Sequence, residues 1–213
     1  MSSVAVIDYG MGNLHSIAKA LQHTDPACVV SVTSSPDIIL NADRVVFPGV
    51  GAIRDCMQAL TQSGLTDIIK EVAKTKPFLG ICLGMQALLT DNEENGYTQT
   101  LDVISGHVVR FPENLKDNVG NTLKIPHMGW NQVHQAPHPL WTNIPQGSRF
   151  YFVHSYYAKT DNAAAIAGTA DYPNAFACAL AQQNIFAVQF HPEKSQTLGL
   201  RLLKNFLHWD GAF

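Results

Sequence analysis

Residues 76–86 of the chain read KPFLGICLGMQ, in which an apolar strand pattern passes through Gly-x-Cys-x-Gly into a helical pattern. This arrangement is typical of a nucleophile elbow, in which the nucleophile lies at a sharp strand-to-helix turn and small neighbours accommodate the strained backbone. Gly80 and Gly84 occupy the two neighbouring positions around Cys82. We therefore interpret Cys82 as a thiolate nucleophile, the alternative being a buried structural cysteine between packing glycines.

The segment that best supplies a base for Cys82 is residues 185–195, which read IFAVQFHPEKS. An apolar strand pattern ends there at His191, and the following proline favours an extended backbone at that residue. The His191 imidazole would take the thiol proton, and Glu193 would accept a hydrogen bond from the other ring nitrogen. Taken alone, Glu193 would equally well cap the helix that follows. Together with the elbow, the pattern favours a Cys-His-Glu catalytic triad.

A third segment, RVVFPGVGA at residues 44–52, is a short β-branched strand that leads into a glycine-rich loop before a helix. Glycines allow the loop backbone to turn its N–H groups toward a ligand. We interpret Gly49, Val50 and Gly51 as a candidate oxyanion hole, and the Leu83 N–H supplies a second donor directly after the nucleophile. Loops of this composition are often only tight turns, and that alternative stays open at this point.

In this order, the three segments closely resemble those of the class I, triad-type glutamine amidotransferases, and the resemblance covers nearly the whole chain. The segments DYGMGN at 8–13, PHMGWN at 126–131 and HSYY at 154–157 resemble, within that family, the glutaminase subunits of imidazole glycerol phosphate synthase, which serve histidine biosynthesis. The resemblance implies hydrolysis of glutamine to glutamate without a cofactor. It also implies a heterodimer in which a (β/α)8-barrel cyclase subunit receives the ammonia.

The resemblance also implies how glutamine is bound. Gln86, Glu94 and the backbone around Ser155 and Tyr156 would hold the α-amino and carboxylate groups of the substrate. Without the resemblance, a lone polar residue after an elbow is more often part of an exposed helix surface.

We expect the partner to dock on the edge of the sheet that carries the active site. Asn13 follows the first predicted strand and Lys194 adjoins Glu193, so both should lie at the edge where ammonia leaves. Met128 and Trp130 would otherwise be packing residues of a strand, and only the resemblance gives them an interface role. The expected docking residues are Asn13, Met128, Trp130, Tyr156 and Lys194.

Composition favours a globular enzyme and argues against several other classes. The chain has 213 residues, of which 46% are apolar and 15% charged, so it can bury a sizeable core, and we expect one domain over residues 1–213. A net charge of -3 without Lys/Arg blocks argues against nucleic-acid and membrane partners. The lack of a long apolar stretch, and a first strand that begins almost at residue 1, predict a cytoplasmic protein without a signal peptide.

Neither a disulfide framework nor a metal site is predicted. His134 and His138 are four residues apart, but Pro137 lies between them, so a metal-binding pair on a helix is not expected. The cysteines are scattered and lack paired metal spacing. They are Cys28, Cys56, Cys82 and Cys178.

Strands and helices alternate in the first half of the chain, which predicts an α/β fold with a parallel sheet. Right-handed crossovers would place the loops that contain Gly10, Gly49 and Cys82 at the carboxyl ends of their strands, where such sheets bind ligands. The predicted strands are 4–7, 28–32, 44–47 and 78–81, and the predicted helices are 14–23, 53–62, 65–75 and 83–90.

From residue 101 onward the pattern changes to short strands, which predicts antiparallel additions to the sheet. The predicted strands are 103–110, 124–134, 150–156, 164–169, 176–181 and 185–190, and a final helix is predicted over 195–209. The expected fold is therefore flavodoxin-like, a mostly parallel sheet flanked by helices, as in the class I glutamine amidotransferases.

Two other functions are compatible with parts of this pattern. A stand-alone cysteine hydrolase of related fold, such as a peptidase or γ-glutamyl hydrolase, would use the same elbow but act on peptides or γ-glutamyl compounds without a partner. A non-catalytic binding protein would not need Cys82, His191 and Glu193 together. A peptide-substrate assay distinguishes the first alternative, and labelling by diazo-oxo-norleucine distinguishes the second.

Overall fold

In the computed structural model of the chain, which describes residues 2–117 and 119–212, a mostly parallel sheet carries the elbow at its centre. The ends of the domain expected over residues 1–213 lie outside the described residues. The strands are β1 (Ser3–Ile7), β2 (Val29–Thr33), β3 (Arg44–Gly49), β4 (Phe78–Cys82), β5 (Asp91–Asn92), β6 (Thr98–Gln99), β7 (Gly106–Arg110), β8 (His127–Gln132), β9 (His134–Gln135), β10 (Arg149–His154), β11 (Tyr156–Thr160), β12 (Ile166–Asp171), β13 (Ala175–Gln182) and β14 (Ile185–Val188). The helices are α1 (Leu14–Thr24), α2 (Pro36–Asn41), α3 (Ile53–Gln62), α4 (Thr66–Thr75), α5 (Leu83–Ala87) and α6 (Gln196–His208).

The parallel part of the sheet has the strand order β2-β1-β3-β4-β14. Its register places Gly49, at the end of β3, beside Cys82, at the end of β4. β14 pairs with β4 on the other side, so the chain that follows β14 also begins at this edge. The carboxyl ends of three neighbouring strands therefore bring together the three segments that the sequence singles out.

Helices cover both faces of this parallel sheet, because the inner strands are apolar on both sides. Val4 and Val6 point toward one buried cluster, which includes Ile17 of α1 and Phe206 of α6. Ala5 and Ile7, the alternate residues of β1, belong to the second cluster on the opposite face, together with residues of α3 and α4. The strand at the centre is thus held between two apolar layers, which fixes its end relative to its neighbours.

Antiparallel strands extend the sheet beyond β14, as the sequence predicts for the second half. β13 pairs antiparallel with β14, β11 and β12, and β11 pairs antiparallel with β7. β8 and β10 form a separate antiparallel ribbon. No helix among the described residues has both the length and the apolar character that crossing a membrane requires.

Several element boundaries differ from the predictions. The helix predicted over 83–90 ends at Ala87, because the Leu88 and Leu89 N–H groups bond to carbonyls three residues back and the chain turns into β5. The strand predicted over 150–156 is divided at Ser155 into β10 and β11, and the strand predicted over 124–134 ends at Gln132. The short helix α2 and the hairpin β5–β6 were not predicted.

Candidate active site

Cys82 lies in the strained backbone of an elbow, with φ 55° and ψ -111° between β4 and α5. A Cβ atom at Gly84 would lie 1.9 Å from the Phe47 carbonyl oxygen, so only glycine lets α5 pack against β3. At Gly80 the added Cβ would lie 3.1 Å from the nearest atom, the Leu88 Cδ1. Close packing therefore requires glycine at position 84 and leaves little space for a side chain at position 80.

His191 and Glu193 form a buried pair next to the elbow. His191 Nδ1 and Glu193 Oε1 are 2.9 Å apart, and the two side chains are 2% and 0% exposed. Nε2 of His191 is buried and has no hydrogen bond of normal geometry among the described residues. Because Glu193 holds Nδ1, the free Nε2 is the nitrogen that can exchange a proton at the reacting groups.

The electrostatics of this pair favour a charged imidazole. Burial by itself lowers the pKa of His191, but the interactions with Cys82 and then with Glu193 outweigh it and raise the pKa to about 10. A protonated His191 beside Cys82 is the arrangement that stabilises a thiolate. The site can therefore hold a nucleophile and a proton donor at the same time.

A cavity of about 300 Å³ opens beside the Cys82 sulfur. Pro126, Val153 and His154 contribute to its wall and were not predicted from the sequence. Most of the predicted site residues do line it. These are Val50, Gly51, Cys82, Leu83, Gln86, Glu94, Ser155, Tyr156 and His191.

Gly49, in contrast to the expectation for the oxyanion hole, is absent from the lining of this cavity. A Cβ atom there would lie 2.5 Å from the Tyr9 hydroxyl, so close packing explains this glycine. The Tyr9 hydroxyl donates to the Pro48 carbonyl at 2.9 Å and ties the loop to the end of β1. Val50 and Gly51 do border the cavity, and Gly51 has the positive φ of +99° that favours glycine.

A series of hydrogen-bonded buried amides connects the cavity wall to Cys82. Gln86 Nε2 donates to the Tyr156 carbonyl at 3.2 Å and to Gln189 Oε1 at 2.9 Å. Gln189 Nε2 lies 3.7 Å from Cys82 Sγ, and Asn92 Nδ2 donates to Gln86 Oε1 at 3.3 Å. Sequence reasoning missed Gln189 and Asn92. The available signal was an amide at 189 within an otherwise apolar run that ends at the histidine.

Glu94 joins this wall to a neighbouring helix. Its Oε2 accepts a hydrogen bond from the Ile53 N–H at 2.8 Å, at the first turn of α3. Its own N–H donates to Asn92 Oδ1 at 2.8 Å. The hairpin β5–β6 is thus attached to α3, and Glu94 keeps one carboxylate oxygen for the cavity.

Two buried histidines extend from the cavity wall to β8. His154 Nδ1 donates to the Tyr156 carbonyl at 2.7 Å, and His154 Nε2 lies 2.9 Å from His127 Nδ1. Asn131 Nδ2 is 3.2 Å from His127 Nε2. Burial lowers the pKa of His127 to about 4 and that of His154 to about 3, so both rings are neutral at pH 7.

The predicted docking residues of β8 lie on an exposed surface. Met128 is 65% exposed and Trp130 is 38% exposed. The Trp130 ring packs edge-on against Tyr151, with centroids 6.3 Å apart, and Lys194 Nζ lies 5.9 Å from the centroid of the same tyrosine ring. We call Trp130, Tyr151 and Lys194 the rim cluster. It links β8 to the turn that holds Glu193.

The remaining predicted docking residues lie near this turn or in the cavity wall. Asn13 precedes α1, and α1 contacts the turn Pro192–Lys194. Tyr156 is half-buried, and its carbonyl is occupied by Gln86 and His154. The structure therefore brings Lys194 and Trp130 together, while a binding role for any of these residues remains a prediction.

Comparisons with known proteins agree with this geometry. The sequence profile of the class-I glutamine amidotransferases matches residues 5–209. The chain is 64% identical to the imidazole glycerol phosphate synthase subunit HisH of Methylococcus capsulatus, over 99% of this chain and 98% of that protein. It is 58% identical to the subunit of the same name from Nitrosococcus oceani, over 100% of both.

Solved structures support the fold. A Thermoplasma acidophilum protein described as a GMP synthase subunit has a TM-score of 0.68 at 18% identity, and the match covers 98% of this chain and 93% of that one. A crystal structure described as a glutamine amidotransferase also has a TM-score of 0.68, at 15% identity, over 96% and 97% of the two chains. The expected α/β fold is thereby confirmed. The chain belongs to the class-I glutamine amidotransferases and, within them, to the family of the imidazole glycerol phosphate synthase subunit HisH.

Proposed function

We propose that this chain is the glutaminase subunit of imidazole glycerol phosphate synthase. It hydrolyses glutamine to glutamate and passes the ammonia to a (β/α)8-barrel cyclase partner in histidine biosynthesis. The observation that carries the proposal is the position of Cys82, which shares one cavity with His191, itself held by Glu193. A thiol, a base and an orienting carboxylate are the three groups that covalent hydrolysis of an amide requires.

Hydrolysis begins when the Cys82 thiolate attacks the side-chain amide carbon of glutamine. The C–S bond forms, and the carbonyl oxygen becomes an oxyanion. Gly51 and Leu83 line the cavity, and their backbone N–H groups are the proposed donors to this oxygen. Gly49, the third glycine-loop residue named for this role, packs against Tyr9 and is not among the residues that line the cavity, so we favour Gly51 and Leu83.

His191 then donates its proton to the amide nitrogen, and the C–N bond breaks to release ammonia. Loss of ammonia leaves a glutamyl thioester on Cys82. The neutral imidazole then takes a proton from a water molecule, and the resulting hydroxide attacks the thioester, breaks the C–S bond and releases glutamate. The bond to Glu193 keeps Nε2 directed at the reacting atoms through both steps. The charge on the imidazolium is stabilised by the same carboxylate.

The cavity wall offers acceptors for the α-ammonium group of glutamine. Both N–H groups of the Gln86 amide are already used, one by Tyr156 and one by Gln189. Gln86 can therefore accept a hydrogen bond from the substrate but has no N–H left to donate. Together with the remaining oxygen of Glu94, it is suited to a cationic group, so we assign both to the α-amino end of glutamine.

Ammonia in neutral water is mostly protonated and no longer a nucleophile, so it must be passed on before it equilibrates. The rim cluster borders the turn that holds Glu193, and Met128 and Trp130 are exposed beside it. A partner subunit that covers Asn13, Met128, Trp130, Tyr156 and Lys194 would shield the product at that edge. We propose this surface as the docking site of the cyclase.

The variant Cys82→Ala tests the proposed function in the complex with the cyclase. Glutamine hydrolysis should fall by roughly 10⁴-fold or more, because the nucleophile is lost. Synthesis from added ammonia should remain, because the cyclase chemistry does not use the thiol. The measurements are glutamate release and imidazole glycerol phosphate formation from each nitrogen source.

Cys28→Ala is the matched control, because Cys28 is also buried but is not among the residues that line the cavity. It should retain both activities. Glutamate release by Cys82→Ala at a near wild-type rate would contradict the proposal. Activity of the isolated wild-type chain on peptides, without stimulation by the cyclase, would favour a stand-alone hydrolase instead.

A further inference from the structure

Gln189 follows β14 directly, two residues before His191, and its side-chain amide lies next to Cys82. Its side chain is fully buried, and its Nε2 lies 3.7 Å from Cys82 Sγ, within hydrogen-bonding range of the large sulfur atom. Its Oε1 accepts from Gln86 Nε2 at 2.9 Å. The amide thus spans the space between the cavity wall and the sulfur.

The orientation of the Gln189 amide follows from a series of hydrogen-bonded amides that begins at the Glu94 backbone N–H. The Glu94 N–H can only donate, so the Asn92 oxygen must face it and the Asn92 nitrogen must face Gln86. Gln86 therefore presents its oxygen to Asn92 and its nitrogen to Gln189. It follows that Gln189 presents its oxygen to Gln86 and its N–H to the sulfur.

The Tyr156 backbone carbonyl independently fixes the same orientation of the Gln86 amide. The Tyr156 carbonyl can only accept, and it lies 3.2 Å from Gln86 Nε2. Gln86 thus has its nitrogen on the side of Tyr156 and Gln189, in agreement with the direction imposed by Glu94. Reversing the Gln189 amide alone would set its NH2 group against that of Gln86, and reversing both amides would set the Gln86 oxygen against the Tyr156 carbonyl oxygen.

We propose that Gln189 is a built-in hydrogen-bond donor to the Cys82 thiolate, held in that orientation by Gln86, Asn92 and the Glu94 backbone. The inference rests on the proposed function, in which Cys82 is the nucleophile. A hydrogen bond to the charged form of a group favours that form, so Gln189 stabilises the thiolate before glutamine binds. It does so without adding a charge to the buried site.

Of the three titratable side chains His191, Tyr9 and His154 near the Cys82 sulfur, only His191 favours a positive charge, so a neutral hydrogen-bond donor would add to its effect. His191 faces Cys82 from the turn after β14 and carries Glu193 behind it. Tyr9, from the end of β1, stays protonated, because burial and the neighbouring thiols raise its pKa. His154, in the cavity wall, stays neutral, because burial lowers its pKa to about 3.

The test is alkylation of Cys82 by iodoacetamide across the pH range, in the full chain without glutamine, followed by mass spectrometry of the Cys82 peptide. Gln189→Met has nearly the same size but no donor, and it should raise the midpoint pH of alkylation by about one unit. Below the midpoint, the alkylation rate should fall about tenfold. The acid limb of kcat/KM for glutamine should move in the same direction.

Gln189→Asn provides a second variant in case the methionine does not pack. It keeps an amide but is one methylene too short to reach both Gln86 and Cys82, so it should raise the midpoint as well. Gln182→Met is the matched control, because Gln182 lies on β13 and donates to the Val103 carbonyl away from the cavity. Its midpoint should equal that of wild type.

The outcomes separate this inference from the proposed function. A low wild-type midpoint that neither Gln189 variant changes would overturn the role of Gln189 and leave the nucleophile intact. An equal shift in Gln182→Met would also overturn it, because the effect would then arise from general packing. A wild-type midpoint at the ordinary cysteine value of about 8.5 would instead contradict the Cys82–His191 ion pair.

Discussion

The bond between His191 Nδ1 and Glu193 Oε1 adds to the interaction with Cys82 in favouring the charged form of the proposed general acid. Both side chains are buried, so neither water nor salt can replace the bond. Removal of the carboxylate leaves the ring in place but withdraws one of the interactions that raise its pKa to about 10. Burial, which disfavours the charged imidazole, is then less fully opposed, so the pKa of His191 falls.

Glu193→Gln should therefore shift the alkaline limb of kcat/KM to lower pH. The interactions with Cys82 remain in the variant, but loss of those with Glu193 should lower the pKa of His191 from about 10 toward its ordinary value of 6.5. Activity near neutral pH should fall less than in His191→Ala, because the proton carrier is still present. Superimposable pH profiles of wild type and Glu193→Gln would remove Glu193 from the mechanism.

At the scale of elements, the site depends on the contact between α5 and β3. The carbonyl oxygen of Phe47 occupies the space where a side chain at Gly84 would begin. Because β3 also leads into the loop with Val50 and Gly51, this contact sets the distance between Cys82 and that loop. Gly80 has more space, because an added Cβ there would lie 3.1 Å from a leucine methyl, 3.2 Å from an alanine Cβ and 3.3 Å from the Gly84 carbonyl oxygen.

Gly84→Ala should consequently be more damaging than Gly80→Ala. The first variant places its Cβ 1.9 Å from backbone that cannot yield, and the second places it 3.1 Å from a side-chain atom that can. We expect Gly84→Ala to lose about 3 kcal/mol or more of unfolding free energy and Gly80→Ala about 1 kcal/mol. Urea unfolding measures both, and equal losses would show that the Phe47 contact does not control the elbow.

The sequence predicts elements well where one local pattern dominates. The alternating strands and helices of the first half, and the elbow around Cys82, follow from apolar periodicity and paired glycines. β5 and β6 are two residues long each and have no periodicity, so they could not be found. Gln189 and His154 are recognised only when distant strands meet, because their partners are up to 107 residues away along the chain.

For the whole molecule, the exposed ribbon β8–β10 and the turn after His191 form one continuous edge. Tyr151 joins them through its ring contacts with Trp130 and Lys194. The same ribbon reaches the cavity wall through His127 and His154. A partner seated on this edge would therefore contact groups that are physically connected to the proposed glutamine site.

Trp130→Ala and Lys194→Ala should affect the complex in different ways. Loss of the Trp130 ring should weaken cyclase binding by about 2 kcal/mol, as is common for a central aromatic in an interface. Lys194→Ala should change the dissociation constant less but raise the glutamate released per product formed, because Lys194 directly follows Glu193, the carboxylate of the proposed triad. If Trp130→Ala leaves the dissociation constant unchanged and Lys194→Ala leaves the ratio of glutamate to product unchanged, the cyclase docks elsewhere.

The unequal burial of the three tryptophans gives the chain an optical reporter of its own. Trp141 and Trp209 are 6% and 4% exposed, whereas Trp130 is 38% exposed. Iodide in solution should therefore quench mainly the red-shifted fluorescence of Trp130, and Trp130→Phe should remove most of the quenchable signal. Addition of the cyclase should protect this fluorescence and shift it to the blue, so docking can be titrated without any attached dye.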